Sequence, residues 1–308
     1  MKTFKKKQLI SLLLTVVLIG VLMVVPTSSI AAQSPVNLRT TSTFAVLAGE
    51  TITNTGDTTI NGTAPEGGGD VGLYPGSDFP GEENVTLLNG SVHINDTAAI
   101  KAKTDLVAAY DEAAGGTPVT TIPTELGGTT LKPGVYDSDA GTFQITGTLT
   151  LDADGNPDGV FIFKTASTLI TATDSIINPI NGAQYCRIFW QVGSSATLGV
   201  NSDFVGHIFA YNSIAAQTRA TIQGQLLAQI GAVTLDSNKI TNGVCEITST
   251  PTPTITPTPT VTPTPIPVII PETQNPKTSD SGTIGFVLLA IVSAGTAILA
   301  KRKLLSHK

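Results

Sequence analysis

The sequence has few charged residues, few aromatic residues and no long apolar run outside its two ends. Only 13% of its 308 residues are charged, 5% are aromatic and the formal net charge is −6, whereas an average soluble domain is about a quarter charged. A nucleic-acid-binding protein needs a basic surface, so this composition excludes that class. The glycines show no three-residue period, which excludes collagen. Apolar runs confined to the ends exclude a multi-pass membrane protein.

The N-terminal apolar run is typical of a secretory signal peptide. A lysine-rich start (Lys2, Lys5–Lys7) precedes an apolar stretch from Leu9 to Val25, which Pro26 ends. Small residues then permit cleavage after Ala31 or Ala32. We therefore predict a signal peptide at residues 1–32 and an exported protein. A retained membrane anchor is the alternative, and it would leave the downstream chain on the same side of the membrane.

The C-terminal apolar run lies between a short polar motif and a basic tail. Residues Thr283–Ala300 are apolar enough for a transmembrane helix of minimal length, and Lys301–Lys303 follow directly. The motif before this run consists of Asn275, Pro276, Lys277, Thr278 and Ser279. This order resembles the LPXTG-like sorting signal of Gram-positive cell-wall proteins, with Asn in place of Leu and Ser in place of Gly. The resemblance implies that a sortase joins Thr278 to the cell envelope.

A plain membrane anchor is the alternative reading of residues 272–308, and both readings predict an extracellular location on a Gram-positive bacterium. Residues 248–271 form a separate segment, with Thr at every even position from Thr248 to Thr264 and Pro at eight positions. Proline at this density excludes helix and sheet and favours an extended polyproline II conformation. We predict a stalk here, which leaves residues 33–247 as one globular domain.

The globular domain contains the only two cysteines, Cys186 and Cys245. In an exported chain two cysteines most often form a disulfide, which we predict here. A reactive or metal-binding thiol pair is the alternative, although the sequence has no CxxC motif and no histidine close to either residue.

Short runs rich in Thr, Val, Ile and Leu, separated by Gly and Asn, predict a mainly β domain. One segment differs, because Asp96 is a good N-cap, Gly115 and Gly116 form a good stop, and the residues between them are Ala-rich. We predict one amphipathic helix from Asp96 to Ala114. Its apolar face contains Ile100, Leu106, Val107, Tyr110, Ala113 and Ala114. Thr-rich short strands with Gly and Asn corners favour an irregular β-solenoid over a sandwich.

Several motifs resemble the ice-binding (antifreeze-like) family of bacteria, fungi and algae, and they occur in the family's order over most of residues 33–247. The most specific is the block Ile188–Gly199, which contains Phe-Trp-Gln-Val-Gly; Phe44–Gly49, Leu131–Tyr136, Val160–Phe163 and Gly231–Asp236 also match. The resemblance implies a right-handed, discontinuous β-solenoid of triangular section with one long helix packed alongside. It also implies adsorption to an ice crystal surface, with no catalytic step, cofactor or metal.

Ice adsorption requires a flat, weakly charged face on which Thr side chains repeat at strand spacing. Family members carry Thr-Ala/Gly-x-Thr/Asn on this face, and Thr165–Thr168 fits that pattern. We predict an ice-binding set consisting of Thr165, Thr168, Thr171, Thr173, Thr197, Thr218 and Thr221. Arg219 lies where relatives have a small residue, and an outward arginine would spoil a flat face.

The alternative to ice binding is a surface adhesion or ligand-binding module on the same scaffold, recognisable by a groove lined with Trp190, Tyr185 or carboxylates. The segment Asp152–Asp158 resembles part of a calcium loop, but its Gly is misplaced and a polar turn is the better reading. The sequence has no Gly-x-Ser-x-Gly elbow and few bases, so we predict that the protein is not an enzyme.

Overall fold

A computed structural model describes residues 33–63, 68–243 and 245. Its strands form one fifteen-stranded and one six-stranded sheet. The strand pairs within the described residues are parallel, as where Ala196–Leu198 pairs with Ile214–Ala216 and Asp203–Ala210 pairs with Thr221–Ala228. The prediction of a mainly β domain is therefore confirmed, and the sheets are parallel.

The six-stranded sheet consists of short strands in which an outward residue lies between two buried ones. Its inward residues, such as Leu169, Leu198 and Ile214, are buried, while the residues between them reach the surface. In stacking order the strands are β10 (Phe143–Ile145), β13 (Leu169–Thr171), β16 (Ala196–Leu198), β18 (Ile214–Ala216), β20 (Val233–Asp236) and β2 (Ile52–Thr55).

The fifteen-stranded sheet contains two rows of strands that share β17 (Asp203–Ala210) and β19 (Thr221–Ala228). The helix-side row uses the second halves of these two strands. It also contains β1 (Phe44–Ala48), β4 (Asp70–Leu73), β6 (Val92–Ile94), β7 (Val119–Ile122), β9 (Gly134–Ser138), β12 (Phe161–Thr165) and β15 (Ile188–Val192).

The third row uses the first halves of β17 and β19. Its other strands are β3 (Thr58–Gly62), β5 (Val85–Leu88), β8 (Thr130–Leu131), β11 (Thr148–Asp152), β14 (Ile176–Ile180) and β21 (Lys239–Asn242). Gly206 and Gly224 lie at the bend between the two halves, with φ of 114° and 145°. A Cβ atom on Gly224 would lie 1.9 Å from the Gly206 carbonyl oxygen, so this bend requires glycine.

The inward side chains of the three rows form one core. Phe163 and Trp190 stack with ring centroids 4.0 Å apart, and Phe143 packs edge-on against Phe163. Trp190 is 1% exposed, and its indole N–H donates to the Val205 carbonyl. Each large side chain buried in this way contributes about 1.5–3 kcal/mol of transfer free energy.

The helix α1 (Thr97–Ala114) covers the outer side of the helix-side row. The Asp96 carboxylate accepts a hydrogen bond from the Ala99 amide at its start, as an N-cap does. The buried face carries Ala102, Leu106 and Ala109, which form a second core with residues such as Phe189. One helix was predicted here, and that prediction is confirmed.

The predicted buried face of α1 is partly wrong, because Ile100 and Val107 are 41% and 46% exposed. Small alanine side chains let the helix approach the sheet closely, and this close packing decides which face is buried.

The N-terminal strands stack on the C-terminal ones. β1 pairs with β19, β2 with β20 and β3 with β21, so the first and last coils are neighbours. α1 runs between β6 and β7, which are eight strand steps apart. Its 18 residues extend about 27 Å, most of the roughly 38 Å between those two strands.

Cys186 and Cys245 form a disulfide with Cα atoms 5.5 Å apart. Cys186 lies in the 3-10 turn Tyr185–Arg187 before β15, and Cys245 follows β21. The bond therefore ties the last coil to a coil further along the stack.

The predicted signal peptide (1–32), stalk (248–271) and sorting signal (272–308) lie outside the described residues. Within the part of the chain that the structure does describe, no helix is long and apolar enough to cross a membrane.

Candidate functional site: the outer face of the six-stranded sheet

Most outward residues of the six-stranded sheet stand in two parallel rows, and Asp236 and Thr55 form one further outward pair at the ends of β20 and β2. The central row contains the middle residue of each strand, and the pairing register aligns these residues directly. Its members are Gln144, Ile170, Thr197, Ala215, Thr234 and Thr53.

A second row, which we call the hydroxyl row, lies two residues earlier in each coil. It contains Thr142, Thr168, Ser195, Ser213, Ala232 and Thr51. Backbone hydrogen bonds fix its register, because the amide after each member donates to the carbonyl of the member one coil further. The Phe143 amide donates to the Thr168 carbonyl at 2.9 Å, and the Val233 amide to the Thr51 carbonyl at 3.0 Å.

Hydroxyl groups also link neighbouring coils within this row. The Thr168 hydroxyl donates to the Thr142 hydroxyl at 3.3 Å. The Ser195 and Ser213 hydroxyls accept from the Ser213 and Ala232 amides at 3.3 and 3.2 Å. These contacts limit the rotation of the side chains, and β-branching does the same for threonine.

The two rows together, which we call the flat face, form a regular and uncharged array. Six of the twelve residues are Thr, two are Ser and two are Ala, and Gln144 and Ile170 complete the set. Neighbouring coils are about 4.8 Å apart, and outward residues along a strand are about 6.7 Å apart. The array is therefore about 24 Å long.

One border of the flat face is a column of corner residues in the left-handed backbone conformation. The φ angles are 56° at Asp174, 55° at Asn201, 59° at Arg219 and 52° at Ser237. The Asn201 amide donates to the Asp174 carboxylate at 3.1 Å, and Arg219 Nε donates to the Asn201 side-chain oxygen at 2.9 Å.

Arg219 therefore belongs to the corner column and not to either row of the flat face. The sequence raised the concern that an arginine here would interrupt the face. The side-chain bond to Asn201 directs Arg219 along the corner, and the twelve residues of the flat face include no charged side chain.

The structure places two of the seven predicted threonines on the flat face, Thr168 and Thr197. Thr165 and Thr171 are each 4% exposed, so their assignment to an ice-contacting surface is corrected. The Thr165 hydroxyl donates to the Gly141 carbonyl, and the Thr171 hydroxyl accepts from the Gly199 amide at 2.9 Å. Both hydroxyls hold turns together inside the fold.

The other three predicted threonines also lie off the flat face. Thr173 is exposed in the turn after β13, and Thr218 lies in the turn after β18, where its hydroxyl donates to the Asp236 carboxylate. Thr221 begins β19 in the third row and donates to the Asp203 carboxylate. Thr173 and Thr218 lie where the chain turns a corner, and Thr221 lies in a different row of strands, so none of the three lies on the flat face.

Sequence reasoning missed most of the flat face. The residues not predicted are Thr51, Thr53, Thr142, Gln144, Ile170, Ser195, Ser213, Ala215, Ala232 and Thr234. The sequence offers a partial signal, because each lies next to an apolar residue of a short strand, as Thr197 lies between Ala196 and Leu198. This pattern does not show which strands stack in the same sheet.

The acidic turn Asp152–Asp158 is neutralised by basic side chains. Lys132 Nζ lies 2.8 Å from Asp152 and 3.0 Å from Asp154, and Arg187 lies 2.7 Å from Asp158. Hydrogen bonds from Lys132 lower the pKa of Asp152 to about 2. Within the described ranges no three His, Cys, Asp or Glu side chains are grouped as a metal site would require.

The class of protein is defined by three features. These are three rows of parallel strands, one flanking helix, and a flat, uncharged outer face rich in hydroxyl groups. The sequence profile of the ice-binding-like family matches residues 46–241, and the chain belongs to that family. An ice-binding protein from Nostoc sp. (strain HG1) is 42% identical over 67% of this chain and 73% of its own length.

Solved structures show the same fold. An ice-binding protein from an Antarctic biological consortium superposes with a TM-score of 0.65 at 39% identity, over 68% of this chain and 92% of the other. An ice-binding protein from the Antarctic ascomycete Antarctomyces psychrotrophicus gives 0.62 at 38% identity, over 68% and 98%.

Proposed function

We propose that the protein adsorbs to ice through the flat face and thereby inhibits ice growth or recrystallisation. The observation that carries this proposal is the register of twelve uncharged, mostly hydroxyl-bearing positions on six stacked strands. Relatives that bear the name ice-binding protein share the fold and sequence of this region.

The physical basis is a match between a rigid surface and ordered water. Each Thr offers a methyl group and a hydroxyl group at a fixed position, so water near the face can order with little loss of side-chain entropy. The absence of charge from the twelve positions avoids strongly oriented hydration shells. Adsorption involves no bond-making step, so we propose a non-enzymatic protein that needs no cofactor.

We infer that the chain winds as a right-handed solenoid of triangular section. The support is its repeated path through the helix-side row, the six-stranded sheet and the third row, as in the succession β12, β13, β14. The stacking of β1–β3 on the last coil supports the discontinuous form of that solenoid.

We also propose that residues 33–247 are exported and displayed on a Gram-positive cell surface. The support is the signal-like N-terminus, the Thr/Pro-rich segment 248–271 and the sorting-like motif around Thr278. A disulfide such as Cys186–Cys245 suits an oxidising, extracellular environment. Mass spectrometry of wall fragments should find a peptide that ends at Thr278, and an intact C-terminus would contradict sortase anchoring.

The ice-binding proposal is tested by thermal hysteresis and ice recrystallisation assays on the purified full-length protein. We expect both activities in the wild type and a clear reduction in Thr168→Tyr, because Thr168 lies in the hydroxyl row. The matched control is Thr86→Tyr, since Thr86 is exposed on β5 in the third row. Absence of both activities in the wild type at high protein concentration would refute the proposal.

A further inference from the structure

A second surface with binding character lies in the third row. A groove of about 340 Å³ is formed by three neighbouring strands, β17, β19 and β21. Ligand sites in proteins have volumes of about 300–1,000 Å³, so this groove is large enough for a small ligand. Its residues belong to none of the six strands that carry the flat face.

The outward residues of the groove form two short rows in register. Asp203, Thr221 and Lys239 align across the three strands. Val205, Gln223 and Thr241 align in the next outward row. The groove therefore offers a carboxylate, an ammonium group, an amide and two hydroxyls within a few strand spacings.

Several of these polar groups are available to a ligand. The Thr221 hydroxyl donates to one carboxylate oxygen of Asp203 and so orients that side chain. Within the described ranges, the side chains of Gln223, Lys239 and Thr241 make no hydrogen bond to another residue, and Lys239 forms no ion pair. Val205 is only 7% exposed and supplies an apolar patch of the lining.

We propose that this groove is a binding site for a neutral mono- or disaccharide. One acidic and one basic group give the lining no net charge, which disfavours an anionic or cationic ligand. Amide, carboxylate, ammonium and hydroxyl groups together both donate and accept hydrogen bonds, as the vicinal hydroxyls of a sugar require. Phe204 also lines the groove, but it is only 2% exposed and offers a sugar ring no open stacking face, so we expect weak binding.

The proposal does not depend on ice binding, because the two surfaces share no residue. Saturation-transfer NMR on the full-length protein with glucose, maltose, cellobiose and N,N′-diacetylchitobiose, each at about 10 mM, tests it directly. We expect saturation transfer to at least one sugar. Gln223→Ala should weaken that binding at least tenfold while leaving thermal hysteresis unchanged.

The matched control is Gln144→Ala, which makes the same substitution on the flat face and should leave sugar binding unchanged. Lys239→Ala provides a second groove variant, on a different strand. Absence of transfer to all four sugars would overturn the proposal, as would binding that both groove variants leave intact. Thermal hysteresis measured on the same samples separates this outcome from a failure of the ice-binding proposal.

Discussion

Thr197→Tyr tests the flat face at its most informative position. Thr197 lies in the central row, on the third of six stacked strands, and is partly exposed between the buried residues Ala196 and Leu198. Its side chain points outward, so the larger ring adds no atoms to the core. The free energy of unfolding should therefore change by no more than about 0.5 kcal/mol.

The expected loss of activity follows from the geometry of the two rows. A tyrosine ring at this position stands above the surrounding small side chains and holds a flat crystal surface away from them. The positions next to Thr197 in the two rows are Ile170, Ala215, Thr168, Ser195 and Ser213. With Thr197 itself these are half of the flat face, so thermal hysteresis should fall by at least half at equal protein concentration.

The assay is thermal hysteresis measured in parallel with thermal unfolding, with Thr86→Tyr as the off-face control. Activity equal to the wild type in a folded Thr197→Tyr variant would show that ice contacts another surface. Equal losses in both variants would also refute the reasoning, because they would show an effect of added bulk that does not depend on the face.

Four further predictions concern the corners, the helix and the disulfide. Arg219→Gly should leave thermal hysteresis unchanged and alter the free energy of unfolding by no more than about 1 kcal/mol. Glycine removes the steric cost of the left-handed backbone conformation, but the variant loses one exposed hydrogen bond. A marked gain in hysteresis would show that Arg219 obstructs the face. Gly224→Ala should lower the free energy of unfolding by about 3 kcal/mol or more in chemical denaturation, because its Cβ would overlap the Gly206 backbone. The control is Gly128→Ala, which is also at positive φ but has no atom within 4 Å of the added Cβ, and it should cost about 1 kcal/mol. Burial lowers the pKa of Lys103 to about 7, so between about pH 7 and pH 10 the unfolded chain binds more protons than the folded one. The free energy of unfolding of the wild type should therefore rise over this pH range. Lys103→Met should flatten this rise, and an unchanged slope in the variant would contradict the prediction. Replacing both cysteines with serine removes a closure between residues 59 apart and should cost about 4 kcal/mol while sparing ice activity, as measured by thermal unfolding and hysteresis.

Local signals predicted the secondary structure well. Asp96 was recognised as an N-cap because a capping carboxylate and the amides that it satisfies are only three residues apart. Short Thr- and Val-rich runs indicated strands because β-branched side chains suit extended backbone irrespective of their partners. The family motifs identified the scaffold for a similar reason, since they are contiguous in sequence.

Side-chain direction at the corners could not be predicted in this way. Thr165 and Thr168 belong to one Thr-Ala-Ser-Thr motif, yet the first is buried and the second lies on the flat face. Thr165 ends β12 in the helix-side row, whereas Thr168 immediately precedes β13 in the six-stranded sheet, so the two side chains face the surroundings of two different sheets. The direction of Arg219 also could not be predicted from the sequence, because Asn201, to which its side chain donates, lies 18 residues earlier in the chain.

The sequence by itself determined that this chain forms short strands, one capped helix and a surface with little charge, because these properties depend on neighbouring residues and on composition. Only the tertiary structure decided which residues form the flat face. Thr51 and Thr53 join it because β2 pairs with β20, some 180 residues later in the chain. Such a face is a property of stacking, in which residues distant in sequence become neighbours about 4.8 Å apart, and no local pattern specifies that arrangement.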